Sequence, residues 1–483
     1  ALPGCDPKPT YGPEAWRNAK LLDGVSKDEF LLGAATAAYQ VEGGLDELTD
    51  WGEFATKFHP ANHPTKPNKP TIVDLRPAGR ASDSWNLWQQ DIDALKRIGA
   101  NGYRMGLDWA RLQPTEGTWD TAAIARYREI LQALRDADIE PMVTVYHFVL
   151  PRWVAAKAPA GKGAWENPET IELATALATK VAQEFGDLVD LWITVNEPNV
   201  LTTFGYLTGV WAPGYFGDQN RMVTAFTTLM KAHAGMAKAI RTTDMTSARG
   251  DGKKAAETGI AHHMRFFESA SWGTLDNFIS AVTDRYFNDT VLVANSEGAI
   301  RIDLPPIIQV NETVPDLKDS FDFIGLNYYG RDYVRADLSD PSLSKQYVPP
   351  DRPKNALGWD IYPEGLERHL VRLARYNLPI YVTENGAADW TGKIRSDALR
   401  SHLYAIGRAR AQGADVRGYM HWSLIDNFEW AEGYTAPFGL FFIDFFNDPT
   451  LERKATCAVN VMREAARNIG SSPAGEDAPE CPE

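Results

Sequence analysis

Eight short runs of β-branched, aromatic and small apolar residues recur along the 483-residue chain, and helical patterns fill the intervals between them. That alternation restricts the possible folds more than any other feature. The runs lie at 30–38, 101–109, 140–148, 189–197, 258–266, 321–329, 379–386 and 416–424. Several are apolar almost throughout, as strands become when a parallel sheet is covered on both faces. Amphipathic helices are expected at 83–98, 122–137, 170–185 and 223–240; in the second, Ile124, Tyr127, Leu131 and Leu134 form one stripe. Strand and helix repeated eight times predict an α/β protein, a (β/α)8 TIM barrel built as a single domain despite its length. The expected organisation is an N-terminal arm (1–27), the barrel (28–468) and a polar C-terminal tail (469–483) too poor in apolar residues to pack. Long proline-bearing connections at 50–82 and 330–358 follow strand ends, where barrel loops form the rim of a site. The polar segment 242–257 reads as a solvated loop.

Charge and composition narrow the function. The balance of 49 basic and 64 acidic residues, −15 at pH 7, disfavours nucleic acid or an anionic membrane as partner. No apolar run reaches the roughly 18 residues of a membrane span. Cys5, Cys457 and Cys481 form no CxxC pair, so neither a zinc ribbon nor a redox motif is expected. Either Cys5–Cys481 or Cys5–Cys457 could form a bridge. With the triplets Asn288-Asp-Thr290 and Asn311-Glu-Thr313, these cysteines lean towards an extracellular or secreted protein, with a cytoplasmic one still open.

In such a barrel, reactive residues gather at the C-terminal ends of the strands. Here those ends carry Gln40, Arg104, Asp108, His147, Asn196, Glu197, Asn327, Tyr329, Glu384 and Trp422. Glutamate is a poor turn former, yet it closes strands four and seven, each time beside an asparagine (WITVNEPN and YVTENG). Two carboxyl groups facing each other across a barrel mouth, with no metal motif, suggest glycoside hydrolysis. One acid protonates the leaving oxygen and the other carboxylate acts from the opposite side of the anomeric carbon. His262 and His263 alternate along strand five and cannot chelate one ion together, so no metal and no cofactor are expected; one is read as a core residue and the other as facing the barrel.

The motifs WITVNEP and YVTENG resemble the two signatures of glycoside hydrolase family 1, the β-glucosidase family. FLLGAATAAYQVEG, GYRMGLDWARLQP, GLNYYG and WSLIDNFEWAEGYTAPFGLFFID resemble its first, second, sixth and eighth strand regions, so the likeness spans about residues 28–465. It implies a retaining exo-β-glycosidase, a β-glucosidase first of all, with Glu384 as nucleophile and Glu197 as acid/base. It further implies that Arg104, Tyr329 and Asn327 support the nucleophile. Gln40, His147, Asn196, Trp422, Glu429 and Trp430 would bind the sugar of a small-molecule or oligosaccharide β-glycoside. Asp108 is read as structural.

Two positions depart from the family pattern. Phe148 stands where a tryptophan usually follows the strand-three histidine, which narrows that wall and removes an indole N–H. Asn199 stands where a larger apolar residue usually faces the leaving group, and a polar residue there would favour a sugar aglycone. Three other activities fit the same fold: a transglycosidase using the same intermediate, a 6-phospho-β-glycosidase, and a non-catalytic sugar-binding barrel. The intact Glu429-Trp430 pair opposes the second, since a carboxylate there would repel phosphate, and the presence of both Glu197 and Glu384 opposes the third. The natural aglycone, the choice among glucose, galactose and fucose, and the oligomeric state stay open at this stage.

Overall fold

A computed structural model describes residues 11–250, 252, 254–304, 308–337, 339–340 and 342–482. Eight strands form one closed parallel sheet: β1 (Leu31–Ala35), β2 (Gly102–Gly106), β3 (Glu140–Tyr146), β4 (Leu191–Asn196), β5 (Glu257–Ser269), β6 (Ile324–Ala336), β7 (Ile380–Asn385) and β8 (Val416–Trp422). Closure is made by β8, which pairs with β7 on one side and β1 on the other. Every run expected from the sequence is a strand of this barrel. The outer layer is built chiefly from α1 (Ser84–Ile98), α2 (Thr121–Asp136), α3 (Glu169–Phe185), α4 (Gln219–Thr243), α5 (Thr274–Asp284), α6 (Pro363–Leu373), α7 (Lys393–Ala411) and α8 (Ala458–Asn468).

The helices form where the stripe and the caps agree. In α2, Asp120 accepts hydrogen bonds from the backbone of Ala122 and Ala123, and Ile124, Tyr127, Leu131 and Leu134 are buried. Asp108 caps the short helix Trp109–Leu112 by accepting from the Arg111 backbone at 2.8 Å, in keeping with a structural role.

Two strands run further than the sequence pattern suggested. β5 and β6 each have 13 residues, and their outer halves stay paired from Phe266–Arg331 to Ser269–Val334. The first residues of the expected loop 330–358 are therefore strand, and they pair with Ser344–Tyr347 in an antiparallel hairpin. This raised sheet forms one wall above the barrel mouth. In the segment read as a solvated loop, Arg249 is engaged by Asp190 and Glu257 and pins the start of β5.

Both ends of the chain pack on the barrel. Trp16, Leu21 and Leu22 of the arm are buried, and the Tyr11 hydroxyl donates to Glu367. The tail, expected to stay free, folds back because Asp477 pairs with Arg463 and Arg467 and Ala474 N–H donates to Lys96 O at 2.9 Å. It is tied there by a disulfide between Cys457 and Cys481, whose Cα atoms are 5.0 Å apart. That pairing replaces both bridges considered for Cys5, which lies outside the described residues. Of the two acceptor triplets, Asn288 is fully buried and holds Arg265 O and Asp284 through its amide, so it is closed to glycosylation. Among the described residues no helix is long and apolar enough to cross a membrane.

The disulfide closes a separation of 24 residues. Replacing Cys481 with serine should therefore cost about 3 kcal/mol of stability. Denaturant unfolding of the oxidised wild type and the variant measures it, and a reductant should remove the difference.

Candidate active site

Arg104, near the end of β2, is buried at the barrel axis and ties four strands together. Its Nε donates to Thr144 on β3 at 3.1 Å, Nη2 to Asn196 Oδ1 on β4 at 2.6 Å, and Nη1 to the Thr383 carbonyl on β7 at 3.2 Å. Nη1 also contacts Glu384 Oε1 in a buried ion pair. The other oxygen of Glu384, Oε2, accepts from the Tyr329 hydroxyl on β6 at 2.7 Å. Both oxygens of Glu384 are thus held by strand residues.

Glu197 follows β4 at the turn into the short helix Pro198–Thr202, with φ +43°. A glutamate in the left-handed region costs on the order of 1–3 kcal/mol, and such strain persists where its surroundings fix it. Here Glu197 Oε1 takes two hydrogen bonds, from Asn327 Nδ2 at 2.8 Å and His263 Nδ1 at 2.9 Å. No described residue hydrogen-bonds Oε2. Asn327 also accepts from Thr383 Oγ1 at 2.7 Å, so β4, β6 and β7 are locked at this level.

The glycine of YVTENG has a steric reason. A Cβ on Gly386 would lie 1.8 Å from the Trp422 carbonyl, so only glycine lets β7 pass the end of β8 after Glu384. Around the mouth, His147 lies over the rings of Trp422 and Trp430, with interplanar angles of 26° and 18°. Arg104 can only donate, which fixes the Asn196 oxygen towards it and the Asn196 amide N–H towards His147 Nε2 at 3.0 Å. Burial, then Arg104, drive the His147 pKa well below its ordinary value, so the ring is neutral with its proton on Nδ1. Gln40 donates to Asn427 Oδ1, Phe428 O and Glu429 Oε2. Gln40 Oε1 and His147 Nδ1 are buried without a protein partner, and so remain available to ligand hydroxyl groups.

Glu197, Glu384, His147, Asn196, Tyr329, Trp422, Glu429 and Trp430 open onto one cavity of about 570 Å³. Over nearly its whole length the chain is matched by a family model. Residues 24–470 match the model described as "Glycosyl hydrolase family 1". The chain belongs to glycosyl hydrolase family 1. It is 34% identical over 441 residues to "Beta-glucosidase A" of Thermotoga maritima, covering 86% of this chain and 92% of the relative. It is 28% identical to a "Beta-galactosidase" of Pyrococcus woesei, covering 92% and 97%. The solved structure of a Thermotoga maritima β-glucosidase in complex with glucoimidazole superposes with a TM-score of 0.78 at 30% identity, covering 93% of this chain and all of that one.

In this family 1 hydrolase the electrostatics of the two glutamates differ. Burial pushes Glu384 up to about 7, the charge of Glu197 adds to the push, and Arg104 and the Tyr329 hydroxyl resist it. Burial also opposes the charge on Glu197, but His263, the Asn327 amide and Arg104 outweigh it and hold this carboxyl below its ordinary value. Glu429 is pushed up to about 8 by burial and then by Glu384.

The residues expected from the sequence converge here, Gln40 being joined to Glu429 by a hydrogen bond. Asn199 does not. Its amide donates to the backbone carbonyls of His263 and Phe287, at 2.9 and 3.0 Å, so it braces the wall from behind and never meets a leaving group. Beside Phe148 the wall is completed by Trp211, 5.1 Å away between ring centroids. The sequence left open which of His262 and His263 faces the barrel, and it is His263. Its bond to Glu197 makes it part of the site, a role the alternation of side chains along β5 permitted but could not specify.

Replacing His263 with phenylalanine removes one downward pull on Glu197. The ionisation of Glu197 should then move to higher pH, by about one unit, while that of Glu384 moves less. Infrared titration of the buried carboxyl bands, assigned with Glu197→Gln and Glu384→Gln, measures both.

Proposed function

We propose that the protein is a retaining exo-β-glycosidase, a β-glucosidase first of all, with Glu384 as nucleophile and Glu197 as acid/base. One observation carries the assignment: across a single cavity, both oxygens of Glu384 are held by Arg104 and Tyr329, whereas Glu197 keeps Oε2 unbonded. A fixed carboxylate beside a guanidinium suits attack on carbon, and a carboxyl with one free oxygen suits proton transfer.

By these opposite shifts the proton of the pair favours Glu384, the wrong carrier for the reaction. A bound β-glycoside reverses that preference. Positive charge developing at the anomeric carbon favours ionised Glu384, and the glycosidic oxygen gives a proton on Glu197 Oε2 an acceptor. Glu384 then bonds to the anomeric carbon as the bond to the leaving oxygen breaks, and that oxygen takes the proton of Glu197. In the second half, Glu197 removes a proton from water, the water oxygen bonds to the anomeric carbon, and Glu384 leaves as carboxylate. Retention follows when the carboxyl groups stand about 5–5.5 Å apart.

Sugar hydroxyls would be met by Gln40, His147, Asn196 and Glu429, with Trp422 and Trp430 supplying apolar faces to the ring. Relatives named β-glucosidase and β-galactosidase leave room for either epimer. Since Glu429 is pushed to about 8, charge repulsion at that residue opposes a 6-phosphate less than the sequence suggested. What disfavours phosphate is that the charged groups acting on Glu429 are the acids Glu384 and Glu197. A Cys457–Cys481 bridge suits a protein of an oxidising compartment, which supports the extracellular reading.

Proton NMR during cleavage of an aryl β-glucoside should show β-glucose as the first product; α-glucose would refute the mechanism. Glu384→Ala should lower kcat by on the order of 10⁴-fold or more. Glu197→Ala should lose about 10²–10⁴-fold on alkyl glucosides and far less on a dinitrophenyl glucoside, whose leaving group needs no proton. Equal losses on both would remove Glu197 from the acid role.

A further inference from the structure

Beyond the sugar end, the same cavity continues between elements that no strand-end motif describes. One side is formed by Val200, Phe204, Leu207 and Trp211, from the segment after β4. More of the lining comes from α5 and the turn after it, through Phe278, Ile279, Val282 and Phe287, and from Phe267 of β5 and Leu343. Of the rim loops expected to decide the leaving group, 50–82 contributes Lys66 and 330–358 contributes Leu343 and Leu357 with the polar Asp332, Asp340, Ser342, Ser344 and Gln346. Charged side chains in the raised wall are matched to each other, Arg265 pairing with Asp332.

The helix α5 continues the apolar surface outwards. Leu275, Phe278, Ile279 and Val282 follow i, i+3, i+4, i+7 spacing and share one face. Its inner end is buried at Ile279, while Phe278 is 51% exposed, Leu275 50% and the preceding Trp272 fully exposed. On the facing segment Phe204 is also exposed at the mouth. An aromatic-rich surface left in water beside a cavity marks a binding site more often than chance exposure does.

From this geometry, and resting on the proposed glycosidase reading, we infer that the leaving group is an elongated apolar one: an alkyl chain whose first carbons lie between Val200 and Phe287 and whose distal carbons follow the α5 stripe to the mouth. A second sugar would need hydrogen-bonding groups along this path, where the walls offer mainly carbon. The one residue that pointed to a sugar leaving group from the sequence, Asn199, is turned away from the cavity.

The test compares methyl, butyl, hexyl and octyl β-glucosides and cellobiose, all dissolved below micelle-forming concentrations. kcat/KM should rise about two- to fourfold per methylene over the first several carbons, mostly through KM, and octyl glucoside should exceed cellobiose. Leu275→Ser and Phe278→Ser, at partly exposed positions that put the fold at little risk, should lower the octyl-to-methyl ratio at least about threefold. A flat chain-length series, or cellobiose preferred over octyl glucoside, overturns the inference while the glycosidase reading stands. A rising series with an unchanged ratio in both variants overturns the assignment of the path to α5. Failure to cleave any of these glucosides, or an aryl glucoside, overturns the β-glucosidase reading itself.

Discussion

The buried guanidinium of Arg104 is the contact on which the site depends. It carries a positive charge at the axis of the barrel, where water is excluded, and three other strands supply its partners. A charge so placed is tolerable only when it is paired and hydrogen-bonded, and meeting that demand aligns β2, β3, β4 and β7 with one another. The same contacts orient Asn196, and through Asn196 the His147 ring. They also fix one oxygen of Glu384. The alignment of these strands and the placement of Glu384 are therefore two results of one set of hydrogen bonds.

The cavity has two ends with different origins. Its polar end is assembled from residues at or just beyond the strand ends, each held by a partner on a neighbouring strand, so its shape is as stiff as the sheet. Its apolar end is assembled from the segment after β4, from α5, and from the raised halves of β5 and β6. The first two touch the barrel through side-chain packing, while the raised halves continue its hydrogen-bond ladder outwards. Chemistry at the polar end can stay constant while the other end accepts different leaving groups, which is the usual division of labour in a barrel whose loops vary.

Much of this was legible in the chain because its signals are local. Strand and helix periodicity placed all eight barrel strands, since side-chain period follows from backbone geometry alone. Glu197 and Glu384 stood out as poor turn formers at strand ends. Other features depended on partners distant in sequence. Whether Asn199 faced the cavity or its wall was decided by the carbonyls of His263 and Phe287. Asn288 fits an acceptor triplet, yet its amide is spent on Arg265 and Asp284 inside the protein. The tail lacks apolar residues but packs through Arg463, an interaction that hydrophobic content does not register. The outer halves of β5 and β6 were missed because their extension relies on pairing with each other.

By itself, then, the order of residues determined the number of barrel strands, the closed parallel barrel they imply, and the two acidic positions around which a hydrolytic site could form. Those are properties of short stretches, set by backbone periodicity and by which side chains suit a strand end. Only the tertiary structure decided how the two glutamates differ, that His263 joins one of them, where the disulfide falls, and that the cavity turns apolar beyond the sugar. Each of these rests on distances between groups far apart in the chain, and burial and charge act through distance in space.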